Sequence, residues 1–437
     1  MPVIFIHGVN VRNIGDYDKD VAMRDELLRR LVIQPLAETK SALKDIHIAN
    51  PYWGGDGVSF RWHHASLPKV DFIESLGVES SGTPQSDIDI MTTIMALSLS
   101  SVPSRLEPLG VSDRAFQLAA LKNPVRLVEA ILSPVILSET RLAPVRASAK
   151  EAGLYETLLM LAARDTSQDS GVRDEIRGAV SDQLVIETLK NATQLNFERL
   201  LRENNLLSDA PRQDGLLEPL GPVTSLFTQM KDRVGEIFDR ALDAPTRAAS
   251  IAALTALRGG VHRGGTQFLG DVFVYLNERD AAAGVQQRGP IISTVLDAIN
   301  NTPRERPDEP LIVITHSMGG NILYDIVTHY QPTTVLSAWV SVASQAGEFE
   351  EMKLFKVSDK TVRAPQQVRG LRDKIKYWLN VYDPADILAF LARPVFEDAD
   401  EDFEYHTGAS AFKAHSAYFK RPSFYDAVRE RLERALP

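Results

Sequence analysis

The sequence predicts a protein of the α/β class, in which helices flank a mostly parallel sheet. Three observations support this prediction. "VIFIH" (3–7) is apolar on both faces, as expected of a central parallel strand covered by helices. A helical period over 18–37 and a strand pattern over 45–53 follow it and complete a β–α–β unit. Much later, "PLIVITH" (310–316) forms a second fully apolar strand and leads into a helical period over 318–330.

The middle of the chain has a different pattern, without strand signals. Its helical periods are interrupted by Pro, Gly and Asn/Asp clusters, and they cover 86–101, 113–132, 150–165, 172–206, 223–241 and 245–257. We therefore predict that 1–64 and 263–437 form the α/β core and that 65–262 is a large helical insertion, or cap. The glycine-rich stretch "RGGVHRGG" (258–265) is the predicted joint.

The α/β pattern resumes after this joint. Residues 271–276 are compatible with a short strand or a helical turn. Two further strands and two helices are predicted at 334–344, 374–383, 289–301 and 423–436. The acidic run 397–404 is interpreted as a solvated loop.

Composition excludes several functional classes. A net charge of −10 argues against a nucleic-acid partner, which requires a basic face. The 437 residues include no cysteine, so disulfides, thiolate metal sites and a cysteine nucleophile are excluded, and a cytoplasmic location is expected. The N-terminus lacks the pattern of a signal peptide, and no apolar run is long enough to span a bilayer. Peripheral membrane contact and the oligomeric state are left open.

The junction at "THSMGG" (315–320) carries the main functional signal. Strand, then x-His-Ser-x-Gly, then helix is the pattern of a nucleophile elbow, in which a strained turn lifts the serine hydroxyl above the sheet. Ser317 is the predicted nucleophile, with His316 before it and Gly319 giving room for the helix. The amide of Met318 is the predicted oxyanion donor. The alternative is a turn in which Ser317 only caps the helix.

A second signal lies at the end of the first strand. In serine hydrolases with this elbow, an early strand-to-loop turn supplies a second oxyanion amide. The His7–Gly8 turn fits that role, and the amide of Val9 is the predicted donor. The side chain of His7 itself is interpreted as a buried, hydrogen-bonded structural group.

The remaining triad members should follow the serine in the order acid, then histidine. Three histidines lie downstream. His329 is expected at the surface, His406 follows the acidic run, and His415 lies in a loop-like position after the last predicted strand, which makes it the preferred base. Asp383 and Asp386 both follow the strand at 374–383, and either carboxylate would orient the imidazole.

Six stretches together resemble the lipase/esterase branch of the serine α/β-hydrolases with large helical insertions, and are similar to the GPI-inositol-deacylase-like and DDHD-type phospholipase groups. These stretches are "FIHGVN", "PYWGG", "FLGDVFVYL", "ITHSMGGNILYDIV", "NVYDPADILAF" and "AHSAYF". The resemblance covers about the first 60 and the last 170 residues. It implies an α/β-hydrolase fold, Asp386 as the acid with Asp383 second, and His415 of "HSAY" as the base.

These observations predict a hydrolase of carboxylic esters that works through an acyl-enzyme, without metal or organic cofactor. Lipid-like acyl esters are the expected substrates, because the apolar stretches 88–102 and 154–163 would line an acyl pocket if they covered the elbow. The alternative for these stretches is an ordinary core. The competing functions are a non-catalytic binding or scaffold protein with the same fold, and a thioesterase or amidase with the same triad.

Overall fold

One six-stranded sheet, with all neighbouring strands parallel, organises the protein. The computed structural model describes residues 2–9, 11–12, 17–39, 47–61, 149–204, 206, 267–280, 288–302, 310–409 and 411–436, with scattered residues between 117 and 129. The strands are Pro2–Ile6 (β1), His47–Ala49 (β2), Ile312–His316 (β3), Ala338–Val342 (β4), Trp378–Tyr382 (β5) and Glu401–Glu404 (β6). Their order is β2–β1–β3–β4–β5–β6. The predicted α/β class with a mostly parallel sheet is therefore confirmed.

Helices connect and cover these strands. In chain order they are Tyr17–Leu28 (α1), Gln34–Thr39 (α2), Ala149–Gln168 (α3), Ser170–Gly178 (α4), Asp182–Glu203 (α5), 267–278 (α6), Pro290–Asn301 (α7), Gly319–Asp325 (α8), Ala346–Glu351 (α9), Ala411–Ala417 (α10) and Pro422–Ala435 (α11). A π-helical segment, Arg29–Ile33, joins α1 to α2, and a second one, Ile326–Tyr330, extends α8. None of these described helices is long and apolar enough to cross a bilayer.

Several element predictions are refined. The ambiguous stretch 271–276 lies within a helix, and the single helix expected over 172–206 is two helices. Ser181 lies between them as the N-cap of α5, because its hydroxyl accepts a hydrogen bond from the amide of Leu184; Asp169 caps the start of α4 in the same way. The segments 86–101, 223–241, 245–257 and 258–265 lie outside the described residues.

Alternate side chains of the four inner strands, β1, β3, β4 and β5, enter two separate cores. Val3, Phe5, Ile312, Ile314, Val340 and Leu379 face the core formed with α1, α3, α5 and α11. Ile4, Ile6, Val313, Trp339 and Trp378 face the core formed with α6, α7 and α8. The two tryptophans stack at 4.2 Å between ring centroids. Both sheet faces are thus covered, which explains why these strands are apolar throughout.

The described part of the predicted insertion contributes to the first of these cores. Leu158, Leu159 and Met160 of α3 are fully buried in the same cluster as the sheet residues. The guanidinium of Arg164 also binds Asp426 of α11 through two hydrogen bonds, of 2.7 and 3.1 Å. Residues 154–163 therefore follow the alternative of an ordinary core, whereas 88–102 lie outside the described residues.

The prediction of a solvated loop over 397–404 is wrong for its second half, which forms the edge strand β6. The reason lies in Asp402, whose carboxylate accepts hydrogen bonds from Asn380 Nδ2 and from the amides of Ala392 and Arg393. These hydrogen bonds stabilise the negative charge of Asp402, which on composition alone would be expected to need water. Charged side chains are also well tolerated on an edge strand.

Two buried ion pairs hold α6 against the sheet. At its start, Asp271 accepts two hydrogen bonds from the guanidinium of Arg12, at 2.7 and 3.2 Å, which ties α6 to the loop after β1. At its end, the guanidinium of Arg279 binds Asp325 of α8 at 2.8 Å. The same carboxylate oxygen of Asp325 accepts from the hydroxyl of Tyr275 at 2.6 Å. Asp325 is fully buried, so its charge depends on these donors.

Replacing Asp325 by alanine is expected to lower the free energy of unfolding by about 3–5 kcal/mol, because it leaves the guanidinium of Arg279 without its buried partner. Denaturant unfolding of both proteins at one pH measures the difference. The matched control is Asp174→Ala, which removes the partner of Arg177 in a pair whose side chains are both about 70% exposed. That exposed pair is expected to contribute less than about 1 kcal/mol. An equal loss of unfolding free energy in the two variants would contradict the conclusion that the buried pair stabilises the fold more than the exposed pair.

Candidate active site

The predicted site residues gather at the edge of the sheet where the parallel strands end. β1 pairs with β2 on one side and with β3 on the other, so strand order reverses between β1 and β3. In open α/β sheets, ligands bind outside the carboxyl ends of the strands at such a switch point. Ile6 of β1 lies opposite Thr315 of β3, and therefore both strands leave the sheet at the same level.

Ser317 occupies a strained corner directly after β3. Its backbone φ is +55°, a region that non-glycine residues rarely adopt, and its amide donates to the carbonyl of Val342 at 2.9 Å. A Cβ at Gly319 would collide with the carbonyl oxygen of Ile6, so α8 crosses β1 too closely for any other residue. The turn thus has the backbone strain and the small residue that a nucleophile elbow requires.

The loop after β1 passes directly beside this serine. A Cβ built on Gly8 would lie 2.6 Å from the Cβ of Ser317 and 3.2 Å from its Oγ, so only glycine allows the approach. The next amide, that of Val9, and the amide of Met318 donate no hydrogen bond within the described part of the chain. Both residues are buried. The residues on both sides of the serine corner thus carry N–H groups without an acceptor among the described residues, and an amide in a buried residue is costly to leave unpaired.

His7 has the surroundings of a structural histidine. The amide of Trp53 donates to its Nε2 at 3.1 Å, so the proton is on Nδ1, which donates to the carbonyl of Gly8 at 2.8 Å. The indole of Trp53 stacks on the imidazole and donates to the carbonyl of His7. Burial lowers the pKa of His7 to about 4, so the ring is neutral at neutral pH and fixes the loop that carries Val9.

The structure brings His415 and Asp386 together. Nδ1 of His415 lies 2.9 Å from Oδ2 and 3.1 Å from Oδ1 of the carboxylate. Asp386 is buried and also accepts from the amide of Leu388 at 2.9 Å and from the hydroxyl of Tyr418 at 3.2 Å. His415 lies in α10, not in the loop expected from the sequence. Its other nitrogen, Nε2, is buried and has no hydrogen-bond partner among the described residues.

Asp383, the alternative acid, has different partners. Its carboxylate accepts from the amide of Ala385 at 2.9 Å, and from both the amide and the hydroxyl of Thr407 at 2.7 Å each. These bonds join the loop after β5 to the loop after β6. They leave Asp383 as an anchor of the two loops, while Asp386 is the carboxylate that contacts His415.

His316 also contacts His415. Its Nε2 donates to the backbone carbonyl of His415 at 2.6 Å, and the two rings lie 4.8 Å apart. Burial lowers the pKa of His316 to about 3, with a further contribution from His415. A neutral ring therefore keeps the same hydrogen bond over the whole range around neutral pH. The residue before the serine thus connects the serine corner to α10.

The other two downstream histidines do not join this group. His406 is 57% exposed, with Nε2 2.9 Å from Glu404 and Nδ1 3.9 Å from Asp383. His329 is exposed and lies on the π-helical segment that extends α8, as expected from the sequence.

The hydroxyl of Ser317 contacts a residue that the sequence did not single out. Oγ lies 3.3 Å from Nε2 and 3.4 Å from Oε1 of Gln345, and no hydrogen bond joins it to Nε2 of His415. Gln345 follows β4 at the same edge of the sheet. The rule that functional side chains collect beyond the ends of parallel strands would have selected it, had it been applied to every strand.

Within the described ranges, no group of three or more His, Asp or Glu side chains could hold a metal ion. Comparison of the chain with protein-family models, with curated proteins and with solved structures finds no match.

Proposed function

We propose that this protein is a serine hydrolase that cleaves carboxylic esters through an acyl-enzyme, on an α/β-hydrolase fold with 65–262 as a helical insertion. The observation that carries the proposal is that a strained serine, a carboxylate–imidazole pair and two amides without a partner among the described residues lie at one edge of the sheet. The chain order Ser317, Asp386, His415 is also the order of this class of enzyme.

The reaction would use these groups in sequence. Nε2 of His415 takes the proton of the Ser317 hydroxyl as Oγ attacks the ester carbonyl, and Asp386 stabilises the imidazolium. The amides of Val9 and Met318 donate to the tetrahedral oxyanion. His415 then protonates the leaving alkoxide, and a water molecule, activated by the same imidazole, hydrolyses the acyl-enzyme. No metal or organic cofactor takes part in these steps.

Lipid-like acyl esters remain the proposed substrates. The support no longer comes from the helical segments 88–102 and 154–163 but from the loop after Asp386. The loop after Asp386 presents apolar side chains to solvent, with Ile387 61% and Leu391 41% exposed. Since Asp386 binds His415, this apolar loop adjoins the proposed catalytic group and would contact an acyl chain. A cytoplasmic location stays a prediction from the absence of cysteine.

One observation favours a second candidate, a non-catalytic binding protein with the same fold. The hydroxyl of Ser317 contacts Gln345, and Nε2 of His415 has no partner in the described chain. Catalytic hydrogen bonds are commonly long before substrate binds, so this arrangement is compatible with both functions. A reaction test separates them.

Labelling with a fluorophosphonate followed by peptide mapping provides that test. The catalytic protein is expected to be modified on Ser317, because only an activated hydroxyl attacks the probe. Ser317→Ala, which cannot be modified at this position, is the control for specificity. Labelling of another serine, or none under conditions in which the protein is folded, would favour the binding protein. Matched esters, thioesters and amides of increasing acyl length then identify the scissile bond.

A further inference from the structure

The side chain of Gln345 lies between the two halves of the proposed catalytic site. It follows β4, and it is 3% exposed. Neutral amide side chains are rarely buried unless their donors and acceptors find partners. The partners of this amide show what it holds in place.

Both N–H groups of the amide are used by backbone carbonyls. Nε2 donates to the carbonyl of Ala343 at 2.9 Å and to that of Leu388 at 2.7 Å. An amide nitrogen has two hydrogens, so these two bonds fix which end of the side chain is the nitrogen. Oγ of Ser317 lies 3.3 Å from Nε2 and 3.4 Å from Oε1. Because both hydrogens of Nε2 point to nearer carbonyl oxygens, the serine hydroxyl is the donor in this contact and Oε1 is its acceptor.

The bond to Leu388 acts directly on the acid. The amide of Leu388 donates to Oδ1 of Asp386, while its carbonyl accepts from Gln345. Leu388 is thus fixed through both its amide and its carbonyl. A further bond, from the amide of Phe390 to the carbonyl of Ser344, ties the same loop to the end of β4. The position of Asp386 relative to Ser317 consequently depends on this backbone bond and on the side chain of Gln345, which contacts both segments.

We propose that Gln345 is a positioning residue for the catalytic site, an inference that rests on the proposed function. It sets the loop of Asp386, and through that carboxylate the imidazole of His415, at a fixed distance from the serine corner. In the resting protein its Oε1 also accepts a hydrogen bond from the serine hydroxyl, and this hydroxyl turns to Nε2 of His415 when substrate binds. A glutamine does both without adding a charge beside the nucleophile.

Gln345→Met removes the hydrogen bonds and keeps the length of the side chain. We expect kcat for a short p-nitrophenyl ester to fall by roughly 10²-fold, because a small displacement of the catalytic groups has an effect of that size. KM should change little, since the side chain contacts no proposed substrate group. The matched control is Gln331→Met. Gln331 also donates two hydrogen bonds through Nε2, to Asn300 and Thr334, but lies before β4 at its opposite end.

A spectroscopic readout separates this inference from the proposed function. The proton on Nδ1 of His415, shared with Asp386, should give a low-field proton resonance that His415→Gln abolishes. Gln345→Met is expected to broaden or remove it, whereas Gln331→Met retains it. If the unmodified protein neither hydrolyses esters nor reacts with the probe, the proposed function fails, yet the resonance still decides the role of Gln345.

Wild-type kcat and an unchanged resonance in Gln345→Met would overturn the inference. Thermal unfolding of both methionine variants checks that the comparison is between folded proteins. If Gln345→Met does not fold, Gln345→Glu keeps the shape of the side chain and removes both N–H donors. The same loss of kcat and of the resonance is then expected.

Discussion

Replacing Ser317 by alanine is expected to lower kcat for ester hydrolysis by about 10⁶-fold, the size of effect seen when a serine hydrolase loses its nucleophile. Ser317 is the hydroxyl that would attack the ester, and the carboxylate–imidazole pair that would take its proton lies at the same edge of the sheet. Initial rates with a short p-nitrophenyl ester measure the effect.

Ser358→Ala is the matched control for this experiment. Ser358 donates to the carboxylate of Glu350 and lies outside the group of residues at the carboxyl edge of the sheet. Its replacement should leave kcat within about twofold of the wild-type value, as for substitutions that touch no reacting group. Retention of full activity by Ser317→Ala would show that the hydrolysis occurs elsewhere.

Replacing Asp386 by asparagine is expected to lower kcat by about 10⁴-fold. An asparagine at this position cannot hold the proton on Nδ1 of His415, so the imidazole adopts the wrong tautomer and no longer accepts the serine proton. Folding should be retained, since the side chain has nearly the same shape. Probe labelling of Ser317 should slow in parallel with hydrolysis.

Asp383→Asn distinguishes the two carboxylates. It alters the bonds to Thr407 and Ala385, which connect two loops, but it leaves the pair of Asp386 and His415 intact. We expect kcat within about tenfold of wild type and a lower thermal stability, as for the loss of charge-assisted hydrogen bonds. A larger loss of kcat in Asp383→Asn than in Asp386→Asn would reverse the assignment.

Features encoded by neighbouring residues could be predicted from the sequence. The apolar strands, the sharp turn at Ser317 and the need for Gly319 all follow from local pattern and sterics, and the structure has each of them. The choice between Asp383 and Asp386 could not be made from spacing, because both follow the same strand. Only the loop conformation after β5 decides which carboxylate reaches His415.

Features that depend on partners far away in the sequence could not be predicted correctly. Gln345 has no local motif, and its interest comes from Ser317 and Leu388, which are far from it in sequence. Composition predicts a solvated loop for the acidic run at 397–404, because a donor such as Asn380 lies elsewhere in the sequence. Likewise, periodicity identified a helix over 154–163 but could not tell a pocket lining from a core.

The pairing of β1 with β3 has a consequence for biosynthesis. β1 is a central strand, yet its partner begins at Ile312, roughly 300 residues later in the chain, which at ordinary rates of translation is about 15 to 60 s of synthesis. Throughout that interval the backbone groups on one edge of the apolar strand β1 lack their partner strand, β3. The nascent chain therefore has a long period of exposure to aggregation, and Gly8 cannot meet Ser317 until the ribosome has passed the serine.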